Sequence, residues 1–170
     1  RLTDEEVIAR CPWATTGRTH HRTPNIITSL ELDPAEMEKR NIHLQQKYAE
    51  IEEKEVRYEE IHCDDAEYLI VAFGSCARIA QKAMEEARAE GIKVGLLRPI
   101  TLWPFPSKAI AERSRQVKGI LTVELNAGQM VEDVRLAVEC KVPVEYFGRL
   151  GGIVPDPDEV VTALKEKIIK

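Results

Sequence analysis

The sequence predicts an α/β domain of three layers, a mostly parallel sheet with helices on both faces, preceded by a helical extension. Three observations carry this reading. Tyr68-Leu69-Ile70-Val71-Ala72-Phe73 is a continuous apolar run, as expected of a strand buried on both faces. Gly74-Ser75 ends it, and a helix-spaced run from about Cys76 to Glu90 follows until Gly91 stops it in the usual C-terminal way. Strand and helix then alternate to the end of the chain, which is how parallel strands joined by helical crossovers read.

The elements follow in order. Thr3-Asp4-Glu5-Glu6 reads as a capping box, with Thr3 at the N-cap and Glu6 three residues on, and opens a short helix ending before Cys11-Pro12. Residues 12–30 show no period. They form a polar loop with a basic cluster of Arg18, His20, His21 and Arg22, read as solvated rather than as a site for an anion. Asp33-Pro34-Ala35-Glu36 starts a second helix, with Asp33 as cap and Pro34 in the first turn. It runs to about residue 55, with Met37, Leu44, Tyr48 and Ile51 on a narrow apolar stripe, so it should lie on something along one side only. Strands are expected over 68–73, 93–97, 119–123 and 143–147, and helices over 76–90, 107–116, 130–138 and after Pro155-Asp156-Pro157-Asp158. The division expected is an extension over residues 1–60 and an α/β domain over 61–170.

Composition narrows the function. A net charge of −5 with 31% charged residues argues against general nucleic-acid binding, which needs clustered positive charge. No apolar run approaches the roughly 20 residues of a membrane span, and the charged start Arg1-Leu2-Thr3-Asp4-Glu5-Glu6 is unlike a signal segment. The first residue is arginine rather than methionine, so a fragment of a longer protein is expected. Cys11, Cys63, Cys76 and Cys140 lack the spacing of zinc, redox or cluster sites and read as free thiols in a reducing cytoplasm. Adjacent His20 and His21 would face opposite ways on a strand, so no metal site is assigned.

Three loops at strand ends are where chemistry could sit, since parallel sheets bind ligands beyond their carboxyl edges. Gly74-Ser75 could turn tightly, cap the next helix through Ser75, and offer a helix N-terminus to a phosphate, though no Gly-rich phosphate motif is present. Cys76 beside it reads as a packed thiol. Arg98 could clamp a carboxylate or phosphate, or pair with Glu124 at the end of another strand. Glu124-Leu125-Asn126-Ala127-Gly128-Gln129 offers a carboxylate and two amides to a ligand or a neighbouring subunit. Between these lies Arg98-Pro99-Ile100-Thr101-Leu102-Trp103-Pro104-Phe105-Pro106, whose prolines forbid regular structure and whose apolar side chains want burial. It reads as an ordinary crossover loop with buried anchors or as a packed boundary between domains or subunits. No complete catalytic set is present.

Residues 71–75, 90–106, 123–130 and 148–152, in this order and spacing, resemble the C-terminal part of the alpha subunit of 2-oxoacid:ferredoxin oxidoreductases, a transketolase C-terminal-like domain. The likeness covers about residues 66–165. It implies a complex that decarboxylates a 2-oxoacid on thiamine diphosphate, transfers the acyl group to coenzyme A and passes electrons through iron-sulfur clusters to ferredoxin. The 98–106 segment is closest in style to enzymes for 2-oxoisovalerate or 2-oxoglutarate. The family's thiamine-binding domain, magnesium motif and cluster cysteines lie elsewhere, so this chain is expected to bind no cofactor, to catalyse nothing alone and to serve assembly. Its implied partners are a beta subunit and one or more cluster-bearing subunits, with ferredoxin reached through the complex. Arg98, Glu124, Asn126 and Gln129 are the candidates for the face toward subunits or active site. The alternative is a free-standing module that binds a phosphate-containing ligand at Gly74-Ser75.

Overall fold

The computed structural model describes residues 2–11, 13 and 29–169. The expectations for the loop at 12–30, including His20 and His21, lie outside the described residues except at Trp13, Ser29 and Leu30. The chain divides into two units, Arg1–Gln45 and Gln46–Lys170.

In the first unit, α1 (Asp4–Arg10) carries the expected capping box: the Thr3 hydroxyl accepts from the Glu6 N–H, and the Glu6 carboxylate accepts from the Thr3 N–H. Helix α2 (Pro34–Lys54) begins at the expected cap, where Asp33 Oδ1 accepts from the N–H groups of Ala35 and Glu36 at 2.8 and 3.1 Å. None of its residues is buried, and the boundary between the units falls within it.

The second unit is a five-stranded sheet ordered β1-β3-β2-β4-β5, built from β1 (Tyr58–Ile61), β2 (Tyr68–Ala72), β3 (Val94–Pro99), β4 (Ile120–Glu124) and β5 (Val144–Gly148). Strands β3, β2, β4 and β5 run parallel, and β1 joins β3 antiparallel. This is the expected mostly parallel sheet with helices on both faces. On one face α3 (Gly74–Ala89) and α6 (Pro157–Leu164) cover Ile70, Ala72, Leu96, Leu121 and Val123. On the other, α4 (Ser107–Arg113) and α5 (Met130–Val138) cover Leu69, Val71, Leu97 and Ile120. Residues of β2 thus alternate between two cores, and both cores demand apolar side chains, so the strand reads as an unbroken apolar run. The α3 stripe of Ala77, Ala80, Ala83 and Ala87 keeps that helix close to the sheet.

Strand β1 has no counterpart in the sequence reading. Tyr58-Glu59-Glu60-Ile61 carries two adjacent carboxylates and no apolar alternation. Tertiary contacts hold it: Arg113 of α4 forks onto Glu60, Nε to Oε1 at 3.0 Å and Nη2 to Oε2 at 2.6 Å. Such a planar two-point pair fixes direction as well as distance.

The proline segment is a crossover loop with buried anchors. Its buried anchors are Pro99, Pro104 and Pro106, while Ile100, Leu102 and Trp103 stay exposed. Hydrogen bonds shape it: the N–H groups of Ile100 and Thr101 donate to the Arg57 carbonyl, and the Thr101 hydroxyl donates to the Pro104 carbonyl at 2.8 Å.

Gly95 marks the closest approach of backbones. A Cβ there would stand 2.8 Å from the His62 carbonyl oxygen and 3.0 Å from Cys63 Cα, both main-chain atoms that cannot swing aside. Gly95→Ala is expected to destabilise the chain by about 1–3 kcal/mol, the usual range for overpacking, read as a lowered urea midpoint with an unchanged slope.

Candidate functional site

The sheet order reverses between β2 and β4, because β3 lies on one side of β2 and β4 on the other. A crevice at such a point is where open α/β sheets place ligands. The loops that follow β2 and β4 are Phe73-Gly74 and Leu125–Gln129, two of the three loops marked by the sequence.

Glu124 ends β4 and is fully buried. Strand alternation puts it on the face of Ile120, toward α5. Its Oε2 accepts from the N–H groups of Gln129 and Met130 at 3.1 and 2.8 Å, and its Oε1 from that of Val131 at 3.0 Å. The carboxylate therefore caps the N-terminus of α5 from a distance, satisfying donors the helix cannot satisfy itself and meeting the positive end of its dipole. Asn126 shapes the loop between: its Oδ1 accepts from the Gly128 N–H at 2.7 Å, and its carbonyl accepts from the Tyr146 hydroxyl. Gly128 sits at φ +101°, a conformation open to glycine, as the tight return to α5 requires. Gln129 contributes its N–H to Glu124 and leaves its side chain exposed.

Arg98 is elsewhere, and the pairing with Glu124 considered from sequence does not form. Strand β2 lies between β3 and β4. Alternation also turns Arg98 to the face of Leu96, opposite the face that holds Glu124. Its partner is Glu59, directly across the β1–β3 ladder, with Nη1 to Oε2 at 3.2 Å. Its Nε is buried without a partner among the described residues.

Gly74 takes φ +56° and opens α3, whose N-cap is Phe73 with no side-chain cap. Ser75 is thus the second helical residue and exposed, not the cap the sequence suggested. Cys76 is buried as expected. Burial and then the Glu124 carboxylate push its thiol above the ordinary range, so the helix N-terminus does not activate it.

Two residues of this region escaped the sequence reading as site residues. Tyr146 lies beside Thr122 in the β4–β5 register, on the Glu124 face, and its phenol is pushed up by desolvation and then by Glu124. Gly148 lies beside Glu124, and a Cβ there would overlap the Tyr146 hydroxyl and meet the Asn126 carbonyl. The signal was a glycine closing a strand two residues after a tyrosine, legible only once β4 and β5 are neighbours.

Among the described residues no group of three or more His, Cys, Asp or Glu could hold a metal ion. Cys63 and Cys76 are buried as separate free thiols.

The profile of pyruvate:ferredoxin oxidoreductase core domain II matches residues 66–160. The chain belongs to this family. It is 47% identical over 165 residues to ketoisovalerate oxidoreductase subunit VorB of Methanothermobacter thermautotrophicus, covering 95% of this chain and 46% of that one. The chain thus spans less than half the length of this relative. Its fold matches that of a 2-oxoglutarate:ferredoxin oxidoreductase from Magnetococcus marinus, solved with 2-oxoglutarate, coenzyme A and succinyl-CoA bound, at TM-score 0.72 and 24% identity over 87% of this chain and 28% of that one. A split-gene transketolase shares the fold at TM-score 0.57 and 22% identity, over 65% of this chain and 40% of that one. The three-layer, transketolase-like α/β architecture is therefore the family's own.

Three outcomes follow from these observations. Glu124→Gln replaces one acceptor oxygen by a donor facing backbone N–H groups, and is expected to lower stability by about 1–3 kcal/mol in thermal or urea unfolding. Cys63 is also buried, and burial followed by Glu60 pushes its thiol up to about 11 from 9.0. Its raised value stabilises the fold fully below the ordinary thiol range and progressively less as pH rises toward about 11. At pH 8, a thiol reagent should label exposed Cys140 well before Cys63 and Cys76, which react only on unfolding.

Proposed function

We propose that this chain is the C-terminal assembly domain of the alpha-type subunit of a thiamine diphosphate-dependent 2-oxoacid:ferredoxin oxidoreductase. The whole enzyme decarboxylates 2-oxoisovalerate oxidatively, forms the branched acyl-coenzyme A and reduces ferredoxin. The observation that carries this is the 47% identity to a ketoisovalerate oxidoreductase subunit over 95% of the chain. Thiamine diphosphate, magnesium and the clusters are held by the rest of the complex, and the isolated chain is inactive. Its partners are the beta subunit and the cluster-bearing subunit or subunits, with ferredoxin reached through them, in the cytoplasm. No described helix is long and apolar enough to cross a membrane.

In this reading the loop Glu124–Gln129 and the start of α3 face the active site or a neighbouring subunit. The fixed backbone around Asn126 supports that role, because a surface that frames a reaction must hold its shape without the substrate. Arg98, on the other face of the sheet, serves a subunit contact instead.

The test is coexpression of the full-length parent chain with its genomic neighbours, purification of the complex, and assay of coenzyme A-dependent viologen reduction. Turnover should be highest with 2-oxoisovalerate and at least about tenfold lower in kcat/KM with 2-oxoglutarate, whose second carboxylate an apolar pocket rejects. A preference for 2-oxoglutarate would overturn the substrate. A parent chain that purifies without partners and without thiamine diphosphate would overturn the oxidoreductase.

A further inference from the structure

The second half of α2 and the proline segment enclose a cleft of about 690 Å³, lined on one wall by Glu52 and Glu53 and on the other by Trp103, Phe105 and Lys108, with Tyr58 between. This is within the roughly 300–1,000 Å³ of sites that take ligands or peptide side chains. Trp103 is 55% exposed and Tyr58 44%, an unusual allocation of large rings in a chain with 5% aromatic residues.

The rings are held in place. Tyr48 meets Trp103 edge-on, with centroids 5.6 Å apart and planes at 85°. The backbone below is fixed by Thr101, whose hydroxyl accepts from the Arg57 N–H at 3.0 Å and donates to the Pro104 carbonyl. The prolines remove further freedom. A wall that keeps its shape in the absence of an occupant loses little entropy on binding.

The charges select the occupant. Glu52 and Glu53 make no ion pair among the described residues, although Glu50 and Glu55 beside them each hold a cation. Two carboxylates that line the same cleft as an indole favour a cation that can lie on the ring while pairing with an acid, and arginine does both. Lys108 on the opposite wall orients the occupant by turning its basic side chains toward α2.

We propose that this cleft docks an extended segment of a partner chain in which apolar residues alternate with arginine or lysine. The apolar side chains lie against Tyr58, Trp103 and Phe105, and the basic ones reach Glu52 and Glu53. The proposal is independent of which reaction the whole protein performs.

The chain has two tryptophans, so Trp13→Phe leaves Trp103 as the sole reporter. The probe is a capped octapeptide alternating leucine and arginine, with a second peptide bearing glutamate in place of arginine. The arginine peptide should shift Trp103 emission to the blue and saturate. Affinity should fall at least about tenfold for the glutamate peptide and for Glu52→Gln/Glu53→Gln, and less than about threefold for the control pair Glu132→Gln/Asp133→Asn. Trp103→Ala, followed by anisotropy of a labelled peptide, should lose binding as well.

Equal losses at the two acidic pairs would reduce the effect to general attraction by an acidic chain and overturn the proposal. So would binding that leaves Trp103 emission unmoved, or no binding at all. Self-association in sedimentation that Trp103→Ala abolishes would assign the cleft to a second copy instead.

Discussion

The carboxylate of Glu124 ties this domain together at the carboxyl edge of its sheet. It is buried, it ends the strand at which the sheet order reverses, and it accepts three backbone hydrogen bonds from the first turn of α5. Burying that carboxylate is offset by the three backbone N–H groups that meet its two oxygens and by the positive end of the helix dipole. Through it the end of β4, the start of α5 and the loop between them become one rigid piece. Asn126 extends that piece to β5 through Tyr146. The carboxyl edge of the sheet is thereby shaped by the protein itself.

Much of the fold was legible because buried parallel strands leave a strong mark. The run Tyr68–Phe73 and the helix-spaced alanines after it permit one arrangement, and the structure has it. The caps at Thr3 and Asp33 were equally plain, since each needs only a few adjacent residues. Strand β1 was not legible. Its residues are polar, and what makes them a strand is Arg113, more than fifty positions away, together with an edge offered by β3.

The site shows the same division. Glu124, Asn126 and Gln129 lie close together in sequence, and their hydrogen bonds shape one loop. Arg98 and Glu124 both sit at strand ends, and from sequence alone they are interchangeable neighbours. Sheet order and the alternation of side chains separate them, and neither can be known before the strands are paired. Tyr146 and Gly148 were hidden for that reason too. Their meaning lies in the register with β4, which no local pattern records. In the proline segment the sequence marks apolar character but not which side chains are buried: the prolines anchor it, while Ile100, Leu102 and Trp103 are displayed.

The antiparallel strand β1 has a further consequence. A parallel sheet that stopped at β3 would present a long, apolar margin with free N–H and C=O groups, a ready template for another chain. Here that margin is occupied by four residues, two of them carboxylates pinned by Arg98 and Arg113. An incoming strand would have to pair with a short, acidic neighbour whose backbone continues at once into the turn at His62, which has a positive φ. Short charged margins of this kind discourage edge-to-edge aggregation. The short acidic strand thus guards this edge of the sheet against pairing with another strand.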